Sequence, residues 1–218
     1  MNLQLNEQQV RVLGVLVEKE AVTPDNYPMS INGIVNACNQ LTSRDPVMQL
    51  SEAEVQVALD SLIQEKLVNQ VNQAGARVIK YEHRLRLHWL LEQDKLAVLS
   101  LLMLRGYQTA GELRSRSGRL HEFASVAEVE KALDYLADKF PPLLVRLPLT
   151  AGTKEPRYAH LLSCDEESLL ANLQNGVEPT SRKLANDRVG ELEQEVAVLR
   201  EQVSQLSKQF DEFKRQFE

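Results

Sequence analysis

Apolar residues recur along the chain at the spacing of amphipathic helices, and one such pattern occurs twice. Ser51–Leu62 reads SEAEVQVALDSL and Ser125–Leu136 reads SVAEVEKALDYL, so eight of the twelve positions are identical at a constant offset of 74. Two further pairs follow the same order: the apolar frame of Arg11–Val17 returns in Ala97–Met103, and Tyr81–Leu85 returns in Tyr158–Leu162. Three similarities in one order predict two copies of a unit of about 75 residues.

Three helices are predicted in each copy. The first covers about residues 7–20 and 93–105, and the second begins near Ser30 and near Thr109. The third begins at Ser51 and at Ser125, each of which opens the Ser/Thr-x-x-Glu pattern of a capping box, as does Thr109. The predicted buried faces of the third helices are Val55, Ala58, Leu59 and Leu62 in copy one, and Val129, Ala132, Leu133 and Leu136 in copy two.

A β-hairpin is predicted after each third helix. Its strands cover residues 67–72 and 78–84 in copy one, and 143–148 and 157–162 in copy two. Three helices followed by a hairpin is the element order of a winged helix-turn-helix. We therefore predict an α+β, mostly helical fold, with two tandem winged helix-turn-helix domains at residues 1–88 and 89–163.

A heptad pattern occupies the C-terminal part of the chain. After a short helix and linker at residues 164–187, apolar residues alternate spacings of three and four over residues 188–218. Valine at a and leucine at d favour a parallel two-stranded coil, so a C-terminal coiled-coil helix is predicted to make a homodimer. The dimerisation residues are Val189, Leu192, Val196, Leu199, Val203, Leu206, Phe210 and Phe213. The alternative is a helix that packs this stripe on its own winged-helix domains.

Composition fits a folded protein of about one large or two small domains. The 218 residues are 43% apolar and 26% charged, with a formal net charge of −6 that argues against coating nucleic acid by bulk charge. Two distant cysteines suit a reducing compartment. The longest apolar stretch, Leu96–Leu104, is far shorter than the roughly 20 residues that cross a bilayer. No secretory signal is visible, and we expect a cytoplasmic protein without a membrane partner.

Catalysis has little support in the sequence. The four histidines are scattered, and His83 and His160 occupy equivalent repeat positions, which favours a structural role. Cys38 lies in a predicted helix without a nearby histidine, which favours a small buried side chain over a nucleophile. No spacing matches a zinc site, and no phosphate-binding or hydrolase motif occurs. We expect no enzyme, no metal and no cofactor.

Cationic side chains concentrate in the middle of the chain, where residues 92–163 carry ten basic and nine acidic groups. The exposed positions of both third helices hold at least as many acids as bases, which disfavours reading bases through these helices. The remaining candidates for contacting nucleic-acid phosphates are Arg105, Arg114, Arg116, Arg119, Arg77 and Lys80. The other interpretation is a solvated basic face that offsets the acidic helices.

Four motifs resemble those of a known family: TPDNYPMSIN at 23–32, ACNQ at 37–40, RDPV at 44–47 and RGYQTAGELRSR at 105–116. Over about residues 3–163 the chain resembles the YceH-like family of uncharacterised bacterial proteins. Two positions depart from that family: Leu41 stands where a lysine is expected, and Tyr107 where a proline is expected. The resemblance implies a tandem winged-helix fold and a cytoplasmic location, and it implies no activity.

Two functions remain open at this point. The first is a DNA-associated regulator that binds the phosphate backbone of double-stranded DNA through a basic face of the second domain. The alternative is a protein–protein interaction scaffold that uses the acidic winged-helix surfaces, the C-terminal coil and the apolar side chains Val57 and Ile63, which are expected to be exposed.

Overall fold

The computed structural model of the chain describes residues 3–72, 78–149 and 155–174. These residues belong to the first of two units of the chain, Met1–Gly176. The predicted coiled-coil helix and all of its dimerisation residues lie in the second unit, outside the described residues. Within the described ranges the chain forms eight α-helices and two small antiparallel sheets, which confirms the α+β class with helix as the dominant element.

Both copies show the predicted order of three helices and a hairpin. The first copy contains α1 Glu7–Val22, a short 3-10 helix Pro24–Asn26, β1 Met29–Ser30, α2 Ile31–Cys38, α3 Glu52–Gln64, β2 Val68–Val71 and β3 Lys80–His83. A short helix, α4 Leu85–His88, follows. The second copy contains α5 Gln93–Arg105, α6 Ala110–Ser117, α7 Val126–Ala137, β4 Leu144–Arg146, β5 Tyr158–His160 and then α8 Glu166–Gln174.

Polar side chains define the helix starts, largely as predicted. Ser51 and Thr109 each form a complete capping box, in which the side chain accepts the N3 amide and the N3 glutamate accepts the cap amide. Ser125 forms only half of one, because the Glu128 carboxylate accepts the amide of Ala124 instead. The predicted capping box at Ser125 is therefore wrong in this respect, although α7 begins where expected.

In each copy, the residues just before the second helix pair with the second strand of the hairpin. In the first sheet the order is β1-β3-β2, with Met29 opposite Tyr81. In the second copy, Gln108 forms an isolated bridge with Tyr158, and its amide and carbonyl both bond the backbone of that tyrosine. Tyr81 and Tyr158 are equivalent in the repeat, so the duplication extends to this tertiary contact.

One hydrophobic core joins the two copies. It contains the predicted faces of α3 and α7, all eight residues of which are buried, together with α1 and α5. The helices α1 and α5 pack against each other at the centre of this core, and both are therefore buried on nearly every side. A separate small cluster of Val145, Leu147, Ala159 and Leu169 holds α8 against the second hairpin.

Candidate interaction surfaces

The third helix of each copy exposes a predominantly acidic face. Each copy has four exposed carboxylates and one exposed lysine here, Lys66 after α3 and Lys131 on α7. The acidic residues are Glu52, Glu54, Asp60 and Glu65 in the first copy, and Glu128, Glu130, Asp134 and Asp138 in the second. A phosphate approaching either face would meet repulsion from these groups.

The helix cap itself holds one of these carboxylates in its charged form. Glu54 accepts hydrogen bonds from the amide and the hydroxyl of Ser51 at 2.8 and 2.7 Å, and from Gln8 at 3.1 Å. The bonds from Ser51 lower the pKa of the Glu54 carboxyl. The start of α3 therefore stays negative at neutral pH.

An apolar or aromatic side chain lies on each acidic face. Val57 of α3 is 68% exposed, as predicted. Tyr135 of α7 is 41% exposed, and the ammonium groups of Lys95 and Lys139 lie 5.1 and 4.9 Å from its ring centre. The prediction for Ile63 is wrong, because this side chain is half-buried and packs on the core.

The predicted basic residues of α6 point to different sides. Arg114 is exposed, and its guanidinium donates to the carbonyls of Phe123 and Ala124 at 3.4 and 2.9 Å. It thereby ties α6 to the segment that leads into α7. Arg116 is two positions further along the helix, about 200° around the axis, and does not share this side.

Arg116 instead lies beside the end of α5. It donates to the side-chain oxygen of Gln108 at 2.8 Å and forms an ion pair with Glu112 at 3.6 Å. Arg105 is close enough for the positive charge of Arg116 to lower its pKa, after the larger effect of burial. Arg105 also donates to the Ser43 hydroxyl at 2.5 Å, so it links the two copies.

The other predicted cations lie apart from these groups. Arg119 is exposed and forms no hydrogen bond or ion pair with any other residue that the structure describes. Lys80 is half-buried in β3, between its neighbours on β1 and β2. Arg77 lies outside the described residues.

Two buried arginines, which were not predicted, organise the loop between α2 and α3. Arg44 donates to the carbonyls of Ala37 and Ser43, to Gln40, and to both carboxylate oxygens of Glu18 at 3.0 and 2.6 Å. Arg11 of α1 donates to the carbonyls of Cys38 and Pro46 at 3.2 and 2.5 Å. These contacts show that the ACNQ and RDPV motifs hold this loop on the core.

The two repeat-equivalent histidines share a structural contact. Nδ1 of His83 accepts the amide of Leu85 at 3.2 Å, and Nδ1 of His160 accepts the amide of Leu162 at 3.4 Å. His83 also contacts Glu20 through Nε2 at 3.1 Å. Both rings therefore fix the chain where it leaves the second hairpin strand, which agrees with the structural role predicted for them.

Nucleophilic and metal-ligating side chains do not form a cluster in the described ranges. Cys38 is fully buried, and burial raises the pKa of its thiol to about 12, so the thiolate is disfavoured. Among the residues described, no group of three or more His, Cys, Asp or Glu side chains is arranged to hold a metal ion. None of the helices described there is long and apolar enough to span a membrane.

Comparison with known proteins finds close relatives in bacteria. Residues 5–153 match a family model described as Protein of unknown function, DUF480. A UPF0502 protein of Janthinobacterium sp. (strain Marseille) is 62% identical over 209 residues, which cover 96% of this chain and 89% of the relative. A UPF0502 protein of Geotalea uraniireducens (strain Rf4) is 46% identical, and its alignment covers 100% of both chains, including the C-terminal segment beyond the family model.

Proposed function

The chain belongs to the bacterial family described as Protein of unknown function, DUF480, and we propose that it is a non-catalytic module that binds another protein. Each copy contributes three helices and an antiparallel hairpin, which supports the assignment of two tandem winged helix-turn-helix domains. A winged helix-turn-helix alone does not specify a ligand, so the argument rests on the exposed faces of α3 and α7.

The observation that carries this proposal is the composition of those two faces. In a DNA-binding helix-turn-helix the corresponding helix enters the major groove, where cationic and amide side chains are favourable. Here the exposed Val57 shares the outer face of α3 with exposed carboxylates. On α7 the exposed Tyr135 also shares its face with carboxylates, and its ring lies about 5 Å from the ammonium groups of Lys95 and Lys139. An exposed apolar side chain on a predominantly acidic helix face, as on α3, suits a protein partner with an apolar anchor and basic neighbours.

The test compares two exposed valines in the full chain. Val57→Lys places a cation on the acidic face, and Val78→Lys makes the same change at another exposed valine, outside α3. Each protein is immobilised and exposed to a lysate of a bacterium that encodes it, and retained proteins are identified by mass spectrometry. We expect a partner that wild type and Val78→Lys retain equally and that Val57→Lys loses. Equal retention by all three proteins would contradict the proposal.

DNA binding is the second candidate, and Arg119 is the observation that favours it. This side chain is exposed and unpaired within the described residues, and the exposed Arg114 and Ser115 lie close to it in sequence. Such groups suit contacts with phosphates, which carry no sequence information and weaken with salt. The basic face is smaller than the sequence predicts, because Glu112 offsets the charge of Arg116, and Arg105 and Arg116 donate to Ser43 and Gln108.

Fluorescence anisotropy with a labelled random duplex separates the two candidates. If DNA is the ligand, binding falls as salt rises. The Arg114/Arg116/Arg119→Ala variant should then lower the magnitude of the slope against log salt by about 2, because Arg116 lies on another side of α6. The single variant Arg119→Ala is a cleaner test, because Arg119 forms no hydrogen bond or ion pair with another described residue. If the module binds protein instead, the duplex is not bound even at low salt.

A further inference from the structure

The two copies differ in how their first helix meets their third helix. In copy one, two glutamines in the first turn of α1 bridge to α3. Gln8 donates to the Glu54 carboxylate at 3.1 Å, and Gln9 donates to the Ser61 hydroxyl at 2.7 Å. These two bonds tie the start of α1 to the outer side of α3.

Two carboxylates occupy the positions in copy two that correspond to the first of these bonded pairs. Asp94 is the second residue of α5, as Gln8 is of α1, and Glu128 is the third residue of α7, as Glu54 is of α3. Two ionised carboxylates repel each other and have no proton to share in a hydrogen bond. Among the residues that the structure describes, no hydrogen bond joins the first turn of α5 to α7.

The second bridge of copy one is replaced by a lysine beside an aromatic ring. Lys95 and Tyr135 occupy the positions that correspond to Gln9 and Ser61. The Lys95 ammonium lies 5.1 Å from the ring centre, and the carboxylates of its neighbours Glu92 and Asp94 hold it at 3.0 Å each. This part of copy two therefore already binds one cation between carboxylates and an aromatic ring.

A groove of about 630 Å³ lies between the start of α5, the segment before α7, and α7. Beside Tyr135, its lining includes the rings of His121 and Phe123, which pack edge to face with their centres 4.6 Å apart. Three carboxylates and two ammonium groups also line the groove, those of Glu92, Asp94, Glu128, Lys95 and Lys131.

Glu128 carries the negative charge of the groove that is not balanced. The other two carboxylates share the ammonium of Lys95. The Glu128 carboxylate accepts the amide of Ala124 at 2.9 Å and forms no ion pair with a described residue. Lys139 approaches the Tyr135 ring but donates to the Trp89 carbonyl at 2.6 Å and is not part of the lining.

We propose that this groove holds an arginine side chain of the protein partner, with its guanidinium on Glu128 and against the aromatic rings. The proposal rests on the proposed protein-binding function and names the residue type that the partner supplies at α7. A guanidinium is planar, donates two parallel hydrogen bonds to a carboxylate and stacks on aromatic faces. The compact ammonium of a lysine has neither property, and an acidic side chain would be repelled by Glu128.

The first experiment titrates two blocked tripeptides into the ¹⁵N-labelled full chain and follows backbone amide signals by NMR. Acetyl-Gly-Arg-Gly-amide carries the guanidinium, and acetyl-Gly-Lys-Gly-amide has the same charge without its planar shape. We expect the arginine peptide to shift the signals of Phe123, Glu128 and Ala132, and to bind about threefold or more tightly than the lysine peptide. Equal binding of the two peptides, or shifts only outside the groove, would overturn the proposal.

Three variants of the full chain test the residues of the groove. Glu128→Gln keeps an acceptor for the Ala124 amide but removes the charge. Asp94→Gln introduces the glutamine of copy one, which can donate to Glu128 and close the groove. Each should weaken binding of the arginine peptide about threefold or more. The control Gln8→Asp makes the reverse change in copy one and should leave this binding unchanged.

Far-UV circular dichroism checks that each variant is folded, which is expected because all three positions lie in first turns of helices and are at least partly exposed. Unchanged affinity in both Glu128→Gln and Asp94→Gln would overturn the proposal, as would an equal loss in Gln8→Asp. The titrations use no cellular partner, so their result is independent of the capture experiment with Val57→Lys. A partner that Val57→Lys loses but that Asp94→Gln and Glu128→Gln retain fully would leave the proposed function intact and overturn the arginine site.

Discussion

Arg44 makes five hydrogen bonds from a guanidinium that is fully buried, two of them to Glu18. Burial raises the pKa of the Glu18 carboxyl, but the bonds and charge of Arg44 outweigh this effect and lower it. Arg44→Ala would leave a largely buried carboxylate without its main partner. We expect the free energy of unfolding to fall by about 3–5 kcal/mol, measured by urea denaturation.

Two other arginine substitutions test this explanation. Arg44→Lys keeps the charge but loses the two-pronged contact with Glu18, so its effect should lie between those of wild type and Arg44→Ala. Arg119→Ala removes an exposed arginine and should change stability by less than about 0.5 kcal/mol. If Arg44→Ala were as mild as Arg119→Ala, the buried pair would not support the loop.

His160 gives a prediction about pH. Burial lowers its pKa to about 4, so the folded protein keeps the ring neutral while the unfolded chain binds a proton near pH 6.5. Folding stability is therefore lost as pH falls from about 6.5 to 4, by up to about 3 kcal/mol. Urea denaturation at a series of pH values measures this loss.

The variant His160→Asn separates this group from others that titrate in acid. Asparagine keeps a side-chain acceptor for the Leu162 amide but carries no titrating ring, so the loss between pH 6.5 and 4 should shrink. Glu20 acts at lower pH: burial raises its pKa, but hydrogen bonds from His83 and Arg86 bring it to about 2, so its contribution is lost only below about pH 4.5. An unchanged pH profile in His160→Asn would exclude the histidine as the source.

Residue types alone did not predict which arginines are buried. Arg11 stands among valines and leucines in the first helix, and this apolar frame was the available signal that its side chain points inward. Its guanidinium donates to the carbonyls of Cys38 and Pro46, which are 27 and 35 positions away in sequence. The spacing of apolar residues within one helix does not predict contacts at such distances. The same limit applies to Arg114 and Arg116, which are close in sequence but bond groups on different sides of α6.

At the scale of elements, local rules were sufficient for most of the fold. Apolar spacing and capping residues predicted the bounds of α5 and the starts of α2, α3, α6 and α7, because both signals act within one or two turns. The features that were missed include α4, which is a single turn after the hairpin, and β1, which is a two-residue strand. Both depend on tertiary contacts, since β1 exists only by pairing with β3.

Gly14 tests the contact between α1 and α5. A Cβ at this position would lie 3.1 Å from atoms of Leu104 and Met103, which are buried on the facing helix. Gly14→Ala gains about 1 kcal/mol in helix propensity, but overpacking costs typically 1–3 kcal/mol. We expect a net destabilisation of about 1 kcal/mol by thermal or urea unfolding.

Gly33→Ala is the matched control within α2. Its added Cβ would make ordinary contacts at 3.5 Å with Met29 and Ser30, so the gain in helix propensity should prevail. We expect Gly33→Ala to be neutral or stabilising. A stabilising Gly14→Ala would mean that α1 and α5 have room between them.

At the scale of the whole molecule, the sequence repeat separates two copies, whereas one hydrophobic core includes residues of both. The sequence repeat separates residues 1–88 from 89–163, and each copy has its own hairpin. The hydrophobic core, however, includes both copies and is centred on α1 and α5, so neither copy buries its first helix alone. Repeated sequence predicted the two units but gave no information about how much apolar surface they share.

The shared core predicts that both copies unfold together. Leu59 and Leu133 occupy equivalent positions on α3 and α7, and both are fully buried. Replacing either leucine by alanine should lower the free energy of unfolding by about 2–5 kcal/mol. Because the core is continuous, fluorescence of Trp89, the single tryptophan, and far-UV circular dichroism should give one coincident transition in each variant. If Leu133→Ala shifted only part of the dichroism signal, the copies would be independent domains, and α1 and α5 would not couple them.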